Sequence, residues 1–248
     1  MCLIVLAWRP GHELPLLVAA NRDEFYARPT AALAEWPDTP GLIAGRDLQA
    51  GGTWLGIGPG GRFAALTNIR DPRTAQGARS RGELPLRFLR SDLTPEDFLN
   101  SLRGEANDYS AFNLLVGDRQ QLWHFNSQRG LAKALPPGIH GVSNADLDTP
   151  WPKLQRAKTA LAGALQAADE QALFALLANT TRPDDVRLPN TGVNLDLERL
   201  LGSVFIASPT YGTRASTLLF TYADGTRRII ERSFGPEGMP SGEARFES

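Results

Sequence analysis

At 248 residues, 42% hydrophobic and 21% charged, the chain is long enough for one large core or two small ones, and we read 1–248 as one domain. The net charge is -1, and although arginine far outnumbers lysine, which occurs only as Lys133, Lys153 and Lys158, no basic stretch is dense enough to track phosphates; nucleic acid is not an expected partner. A single cysteine forbids an intrachain disulfide and agrees with a reducing cytoplasm, and the short apolar run after Met1, broken by Arg9-Pro10, fits neither a signal peptide nor a membrane span.

The chain opens on two apolar, strand-like runs, 3–8 and 14–20, joined by a turn at Arg9-Pro10-Gly11-His12-Glu13. This hairpin brings Cys2 beside Asn21-Arg22-Asp23-Glu24, one amide, one guanidinium and two carboxylates. The next stretch, with Pro29, Pro37 and Pro40 framing Trp36, loses periodicity and reads as a long surface loop. Short strands return at 42–45, 53–57 and 63–69. Gly56-Ile57-Gly58-Pro59-Gly60-Gly61 matches G-x-G-x-x-G, but a strand rather than a helix follows, so it reads as a hairpin turn and not a dinucleotide fingerprint. Asn68 ends the third strand, where it serves either as an oxyanion donor or as a turn cap. Residues 70–81 read as a polar, mobile loop whose arginines either bind a substrate carboxylate or phosphate or are simply solvated.

Ser80-x-x-Glu83 and Thr94-Pro95-Glu96-Asp97 have the form of helix starts, and Leu86, Leu89, Phe98, Leu99 and Leu102 follow at helical spacing. Strands are expected at 112–116, 121–125 and 139–143, the last ended by Asn144. Asp148-Thr149-Pro150 is expected to cap a helix over 151–167, with a second over 170–177. Residues 179–194 are the least patterned and read as a lid or linker. Strands then follow at 204–206, 217–222 and 228–234, the last two a hairpin preceded by Arg214, and the tail from about 236 is expected to be poorly ordered. Antiparallel strands interleaved with helix pairs predict an α+β fold, two packed antiparallel sheets with helices on both outer faces.

Cys2 is the residue with chemistry to offer. Removal of Met1 would place a free α-amine, of ordinary pKa ~7.7–8.0, on the same residue as a thiol of pKa ~8.5, so that the residue carries its own base. Arg22 would favour the thiolate, while Asp23 or Glu24 would orient the amine. The plainer reading is a buried strand cysteine acting as a small hydrophobe. His12, His124 and His140 are widely spaced in dissimilar surroundings and read as solvated or core histidines, so no metal site is expected.

Cys2 directly after the initiator, the strand behind it and Ala20-Asn21-Arg22-Asp23-Glu24 resemble the NRDE family, the transport and Golgi organisation 2-like proteins. Further stretches fit the same family in the same order: Gly51-Gly52-Thr53-Trp54-Leu55-Gly56, Leu66-Thr67-Asn68, Ser80-Arg81-Gly82-Glu83-Leu84-Pro85, Gly141-Val142-Ser143-Asn144 and Gly212-Thr213-Arg214-Ala215-Ser216. The family in turn resembles the N-terminal nucleophile hydrolases, nearest to bile salt hydrolases and penicillin V acylases. That resemblance implies a four-layer α/β/β/α sandwich with Cys2 as nucleophile, Asn144 and Asn68 as oxyanion donors, and Arg22, Asp23 and Arg214 around the thiol. Asn21, Glu24 and Trp54 are expected to contact substrate. The bile salt hydrolases carry Arg-Asn-x-Asp where this chain has Asn21-Arg22-Asp23-Glu24: aligning the arginines sets Phe25 opposite their aspartate, and aligning Glu24 with that aspartate sets Asn21 opposite their arginine.

The leading expectation is a cytoplasmic, cofactor-free amidohydrolase acting on a linear or cyclic amide of a small molecule, with homo-oligomerisation possible. The competing one is a non-catalytic carrier of haem or an acyl lipid, in keeping with the haem trafficking and lipid handling connected with eukaryotic members, in which Cys2 is a ligand or a relic.

Overall fold

The computed structural model describes residues 2–73 and 76–248. In chain order the strands are β1 (Cys2–Trp8), β2 (Leu16–Phe25), β3 (Thr30–Trp36), β4 (Thr39–Asp47), β5 (Leu55–Gly58) and β6 (Arg62–Asn68). Helices α1 (Glu83–Arg90) and α2 (Pro95–Leu102) follow, then β7 (Phe112–Gly117), β8 (Leu122–Asn126), β9 (Leu131–Ala134) and β10 (Gly138–Val142). The last part holds α3 (Pro152–Ala164), α4 (Glu170–Leu177), α5 (Leu195–Leu200), β11 (Tyr211–Thr221), β12 (Arg227–Phe234) and β13 (Pro240–Glu247). The expected α+β class and its two antiparallel sheets are both present, one sheet in each of two compact units.

The first unit comprises residues 1–27, 70–72 and 137–248, and its sheet runs β10-β1-β2-β11-β12-β13. The apolar hairpin read from the sequence forms as expected, with Cys2 opposite Arg22 and Trp8 opposite Leu16. Strand alternation sends Leu3, Val5, Ala7, Leu17, Ala19, Leu218 and Phe220 to one face, where Leu154, Ala157 and Leu161 of α3 and Leu173, Phe174 and Leu177 of α4 close a core over them. Cys2, Ile4, Leu6 and Trp8 take the other face.

The second unit comprises residues 28–69 and 73–136, and its sheet runs β3 to β9 in sequence order, each strand antiparallel to the next. Phe88 and Leu89 of α1 and Phe98, Leu99 and Leu102 of α2 pack onto Ala44, Ala64, Leu66, Phe112, Leu114 and Phe125. Gly60 and Gly61, both at positive φ, turn the chain from β5 directly into β6, as the hairpin reading of the glycine motif requires.

Several expectations are corrected. The supposed loop after Glu24 is largely β3 and β4, whose pairing is interrupted by two register shifts and which tolerate Pro37 between them and Pro40 at the outer end. The tail is not frayed: β13 pairs with β12 along its whole length as the outermost strand of its sheet. Residues 204–206 are buried but join no ladder; Phe205 N–H donates to the Asn179 carbonyl and Ile206 N–H to Thr213 Oγ1. Asp148 does not cap α3, which starts at Pro152 after an uncapped Trp151; its carboxylate instead accepts from Gly141 N–H and pairs with His140 and Lys158. Ser80 likewise gives α1 no side-chain cap, since Gly82 stands at that position, whereas Thr94 caps α2 as expected. In the loop expected over 70–81, positions 74 and 75 lie outside the described residues, as does Met1. No helix among the described residues is long and apolar enough to cross a membrane.

Candidate active site

Cys2 is the first residue of β1, an interior strand with β10 on one side and β2 on the other. The ladder sets it in a row with Arg22 and Ala215, so these three side chains share one face of the sheet. On the β10 side the chain continues past Val142 into Ser143 and Asn144. Ser143 Oγ lies 2.9 Å from the Cys2 carbonyl oxygen and 3.1 Å from Asn144 Oδ1, and its one proton serves one acceptor at a time. With Oδ1 turned to Ser143, Nδ2 is the opposite, donating end of the Asn144 amide. The Asn144 carbonyl accepts the Arg70 N–H at 2.8 Å, which anchors the segment.

The Cys2 thiol is half-buried, and its pKa is raised. Burial is the main cause and the Asp23 carboxylate adds to it; Arg22 and an approaching Asp23 backbone N–H oppose it. Arg22 therefore acts in the expected direction, but desolvation outweighs it, and the resting sulfur is a thiol that needs a base. Asp23 is itself buried, and burial raises its carboxyl against the pull of Lys153, Thr213 and Arg22. Thr213 Oγ1 donates to Asp23 Oδ1 at 2.7 Å, and the Tyr211 hydroxyl donates to the Asp23 carbonyl at 3.2 Å.

Arg214 is the extra residue of a β-bulge between Thr213 and Ala215, next to the Cys2 row, and its guanidinium donates to the Phe25 carbonyl at 3.2 Å. It lies within β11 rather than before the hairpin. Asn21 is placed on the helix-covered face, away from the sulfur. Its Nδ2 donates to the carbonyls of Leu177 and Val204, both at 2.9 Å, and its Oδ1 accepts from Ser216 at 2.6 Å. Both ends of the amide are thus engaged in holding α4 and 204–206 to β2, a structural role in place of the expected substrate contact. Glu24 turns back to accept from the Phe25 N–H at 2.9 Å. Asn68, at the end of β6 opposite Phe112, and Trp54, whose ring lies over the bare Gly45 where any Cβ would collide with it, belong to the second unit.

Lys153 and Glu198, which sequence reasoning did not single out, complete the surroundings together with Arg70, one of the arginines in the loop expected over 70–81. Lys153, in the first turn of α3, is 2% exposed, and its Nζ has no hydrogen-bond partner among the described residues. Burial lowers its pKa to about 8, while Asp23 and Cys2 pull the other way and Arg70 adds to the lowering. Arg70 forms a buried ion pair with Glu198 at 2.9 Å, the side chains being 7% and 4% exposed, and its guanidinium lies 5.0 Å from the Trp151 ring centre. Glu198 is held in turn by the Thr191 N–H and hydroxyl at 2.8 and 2.6 Å. The rarity of lysine in this chain was the available signal for Lys153. Among the described residues no three His, Cys, Asp or Glu gather as a metal site; His124 contacts Asn113 and His140 contacts Asp148.

Among solved structures the chain is similar to a Caenorhabditis elegans N-acylethanolamine-hydrolyzing acid amidase (NAAA) ortholog, at a TM-score of 0.49 and 13% identity, covering 88% of this chain and 92% of that one. Among sequences, the Bos taurus transport and Golgi organization protein 2 homolog is 35% identical over 256 residues, 94% of this chain and 93% of that protein. The Homo sapiens homolog is 33% identical over 268 residues, 99% of this chain and 97% of that protein. The family model described as Transport and Golgi organisation 2 matches residues 1–236, and on these matches the chain belongs to the transport and Golgi organisation 2 family.

Proposed function

We propose that this chain is an N-terminal nucleophile amidohydrolase in which Cys2, with its α-amine freed by removal of Met1, cleaves an amide of a small molecule. The observation that carries the reading is the placement of the sole cysteine at the head of an interior strand, beside Arg22 on one neighbour and the Ser143-Asn144 corner on the other. A thiol held protonated by burial needs a base within reach, and an α-amine on the same residue is always within reach.

The neutral amine takes the Sγ proton, and the sulfur attacks the amide carbonyl. Asn144 Nδ2 donates to the resulting oxyanion; loss of one such donor ordinarily slows the reaction by ~10²–10³-fold. As the C–N bond breaks, the ammonium returns its proton to the leaving amine, and a thioester remains on Cys2. Water, deprotonated by the same amine, then releases the acid and restores the thiol. The relatives' names speak of transport and Golgi organisation and specify no reaction. A reducing cytoplasm suits a mechanism that needs its one thiol unoxidised.

The test is at Cys2. Cys2→Ser keeps the amine but replaces the thiol with a far less acidic hydroxyl, and it is expected to lower hydrolysis of small amides by at least ~10³-fold without unfolding the protein. An uncleaved N-terminal extension, which turns the amine into a peptide nitrogen, is expected to be as damaging. If either form keeps full activity the nucleophile reading fails, and the haem or acyl-lipid carrier takes its place.

A further inference from the structure

Buried cations without partners are rare in folded proteins, because desolvating an ammonium or guanidinium is costly unless an acceptor replaces the lost water. In the first unit one such cation, Lys153, accompanies a second, Arg70, that is only partly partnered. Lys153 Nζ has no hydrogen-bond partner among the described residues, and Arg70, which gives one nitrogen to Glu198, has Nε and Nη1 buried with none either. They come from different parts of the chain, the first turn of α3 and the segment after β6, and Arg70 is near enough to disfavour the charge of Lys153. Lys153 is also near enough to Cys2 for their charges to interact. A purely structural pair would be expected to have its donors met by acceptors, as one Arg70 nitrogen is met by Glu198.

We propose that Lys153 and Arg70 form a binding subsite for an oxyanion, a carboxylate or phosphate carried by the small molecule whose reactive carbon meets Cys2. This rests on the assignment of Cys2 as the reacting group and adds the class of substrate: an anionic amide rather than a neutral one. Arg70 is suited to the part. Glu198 and the Trp151 ring fix its guanidinium plane, so little rotamer entropy is lost when Nε and Nη1 receive a second partner. Lys153 adds a point charge at the positive end of α3. The groups facing Lys153 are Asp23 from β2, Cys2 from β1, Arg70 and Glu198. Glu198 is already engaged by Arg70 and Thr191, so it leaves Lys153 Nζ and the other Arg70 nitrogens for an incoming anion. Binding an anion raises the Lys153 pKa back from about 8, so affinity falls as pH rises through that value.

The experiment uses the full-length protein and its one cysteine, comparing alkylation of Cys2 by iodoacetate, which carries a carboxylate, with that by neutral iodoacetamide. Both need the thiolate, so thiol titration cancels in the ratio of their rates. The wild-type ratio is expected to exceed that of N-acetylcysteine at the same pH by at least ~tenfold, to decline above pH ~8, and to collapse in Lys153→Met while surviving in Lys153→Arg. Butyrate or inorganic phosphate is expected to protect Cys2 where butyramide does not, and whichever protects better identifies the oxyanion. A wild-type ratio equal to that of N-acetylcysteine, or protection by neither anion, overturns the subsite, and both are read on wild-type protein whether or not the variants fold. Because alkylation needs no turnover, a Cys2→Ser enzyme that stays active would refute the nucleophile while leaving a high ratio to stand for the subsite.

Discussion

In the first unit the sheet and its helices enclose Arg22, Asp23, Lys153, Glu198 and Glu231, with Arg70 close behind at 7% exposure. In the second, the buried polar residues among those described are Thr53, Thr67, Asn113, His124 and Asn126, none of them a carboxylate, ammonium or guanidinium. Those groups meet one another or the backbone: Asn113 contacts Thr67 at 3.2 Å and His124 at 3.0 Å, and Thr53 donates to the Leu55 carbonyl at 3.2 Å. The two units solve the same folding problem, an antiparallel sheet with a helix pair on one face, and only one accepts the desolvation of several charges. Folding does not require that cost, as the second unit demonstrates, and the proposed anion subsite beside Cys2 would give the buried Lys153 and Arg70 a use.

The largest stability effect that would sharpen this contrast lies at Glu198. Glu198→Ala leaves the Arg70 guanidinium buried without its carboxylate and the Thr191 N–H without its acceptor. The expected cost is roughly 3–5 kcal/mol, read as a fall in the midpoint of chemical denaturation. Asn113→Ala, the comparable truncation among the neutral groups of the second unit, is expected to cost less, roughly 1–3 kcal/mol. Equal costs would mean that burying charge has no special consequence here.

Lys153 gives an effect of opposite sign. Its folded pKa, about 8, lies below the 10.5 of an unfolded lysine, so between those values the unfolded chain binds more protons than the native one. The Lys153 contribution to stability should therefore rise with pH across that window, and the penalty of the buried ammonium is fully present below about 8. Lys153→Met, similar in size and without charge, is expected to be more stable than wild type at neutral pH by about 1–3 kcal/mol and to lose the rise. Denaturation curves of both proteins from pH 7 to ~10.5 check this. A variant less stable than wild type at pH 7 would make Lys153 a structural residue.

How far the sequence led depends on whether the determining interaction was local. The β1–β2 hairpin, the glycine turn before β6, the Thr94 cap and α4 are set by alternation, turn residues and capping atoms a few positions apart, and all were legible. Strand β13 was not, because an edge strand needs only a backbone partner, and its largely exposed side chains carry little alternation. Val204-Phe205-Ile206 misled in the opposite way: an apolar triplet reports burial, and here the hydrogen bonds go to Asn179 and Thr213 instead of a ladder. At the site, Cys2 and Arg22 were legible because one hairpin pairs them. Asn144 was reached only through the resemblance. The approach of Lys153 to Arg70 joins positions more than eighty residues apart, and no spacing rule connects them.

The smallest prediction tests whether the second unit is silent toward the chemistry. Thr94 Oγ1 accepts the Asp97 N–H at 3.1 Å, closing the first turn of α2, and that helix carries Phe98, Leu99 and Leu102 into the core of the second unit. Thr94→Ala leaves that donor to water and is expected to lower stability by ~1 kcal/mol, a drop in Tm of about 2–4 °C for a protein of this size. In the folded protein the side chains at the candidate site stay as they are, so the iodoacetate-to-iodoacetamide rate ratio at Cys2 should equal that of wild type within error. Asp169, which caps α4 in the first unit by accepting from the N–H groups of Gln171 and Ala172, supplies the matched control. Asp169→Ala should cost a similar ~1 kcal/mol, but α4 ends at Leu177, whose carbonyl holds Asn21 of β2 one residue from Arg22, so any loosening is passed toward the Cys2 row. A shift in the ratio for Asp169→Ala and none for Thr94→Ala would confine the chemistry to the charged unit. A shift of the same size in both would show that the second unit also tunes Cys2.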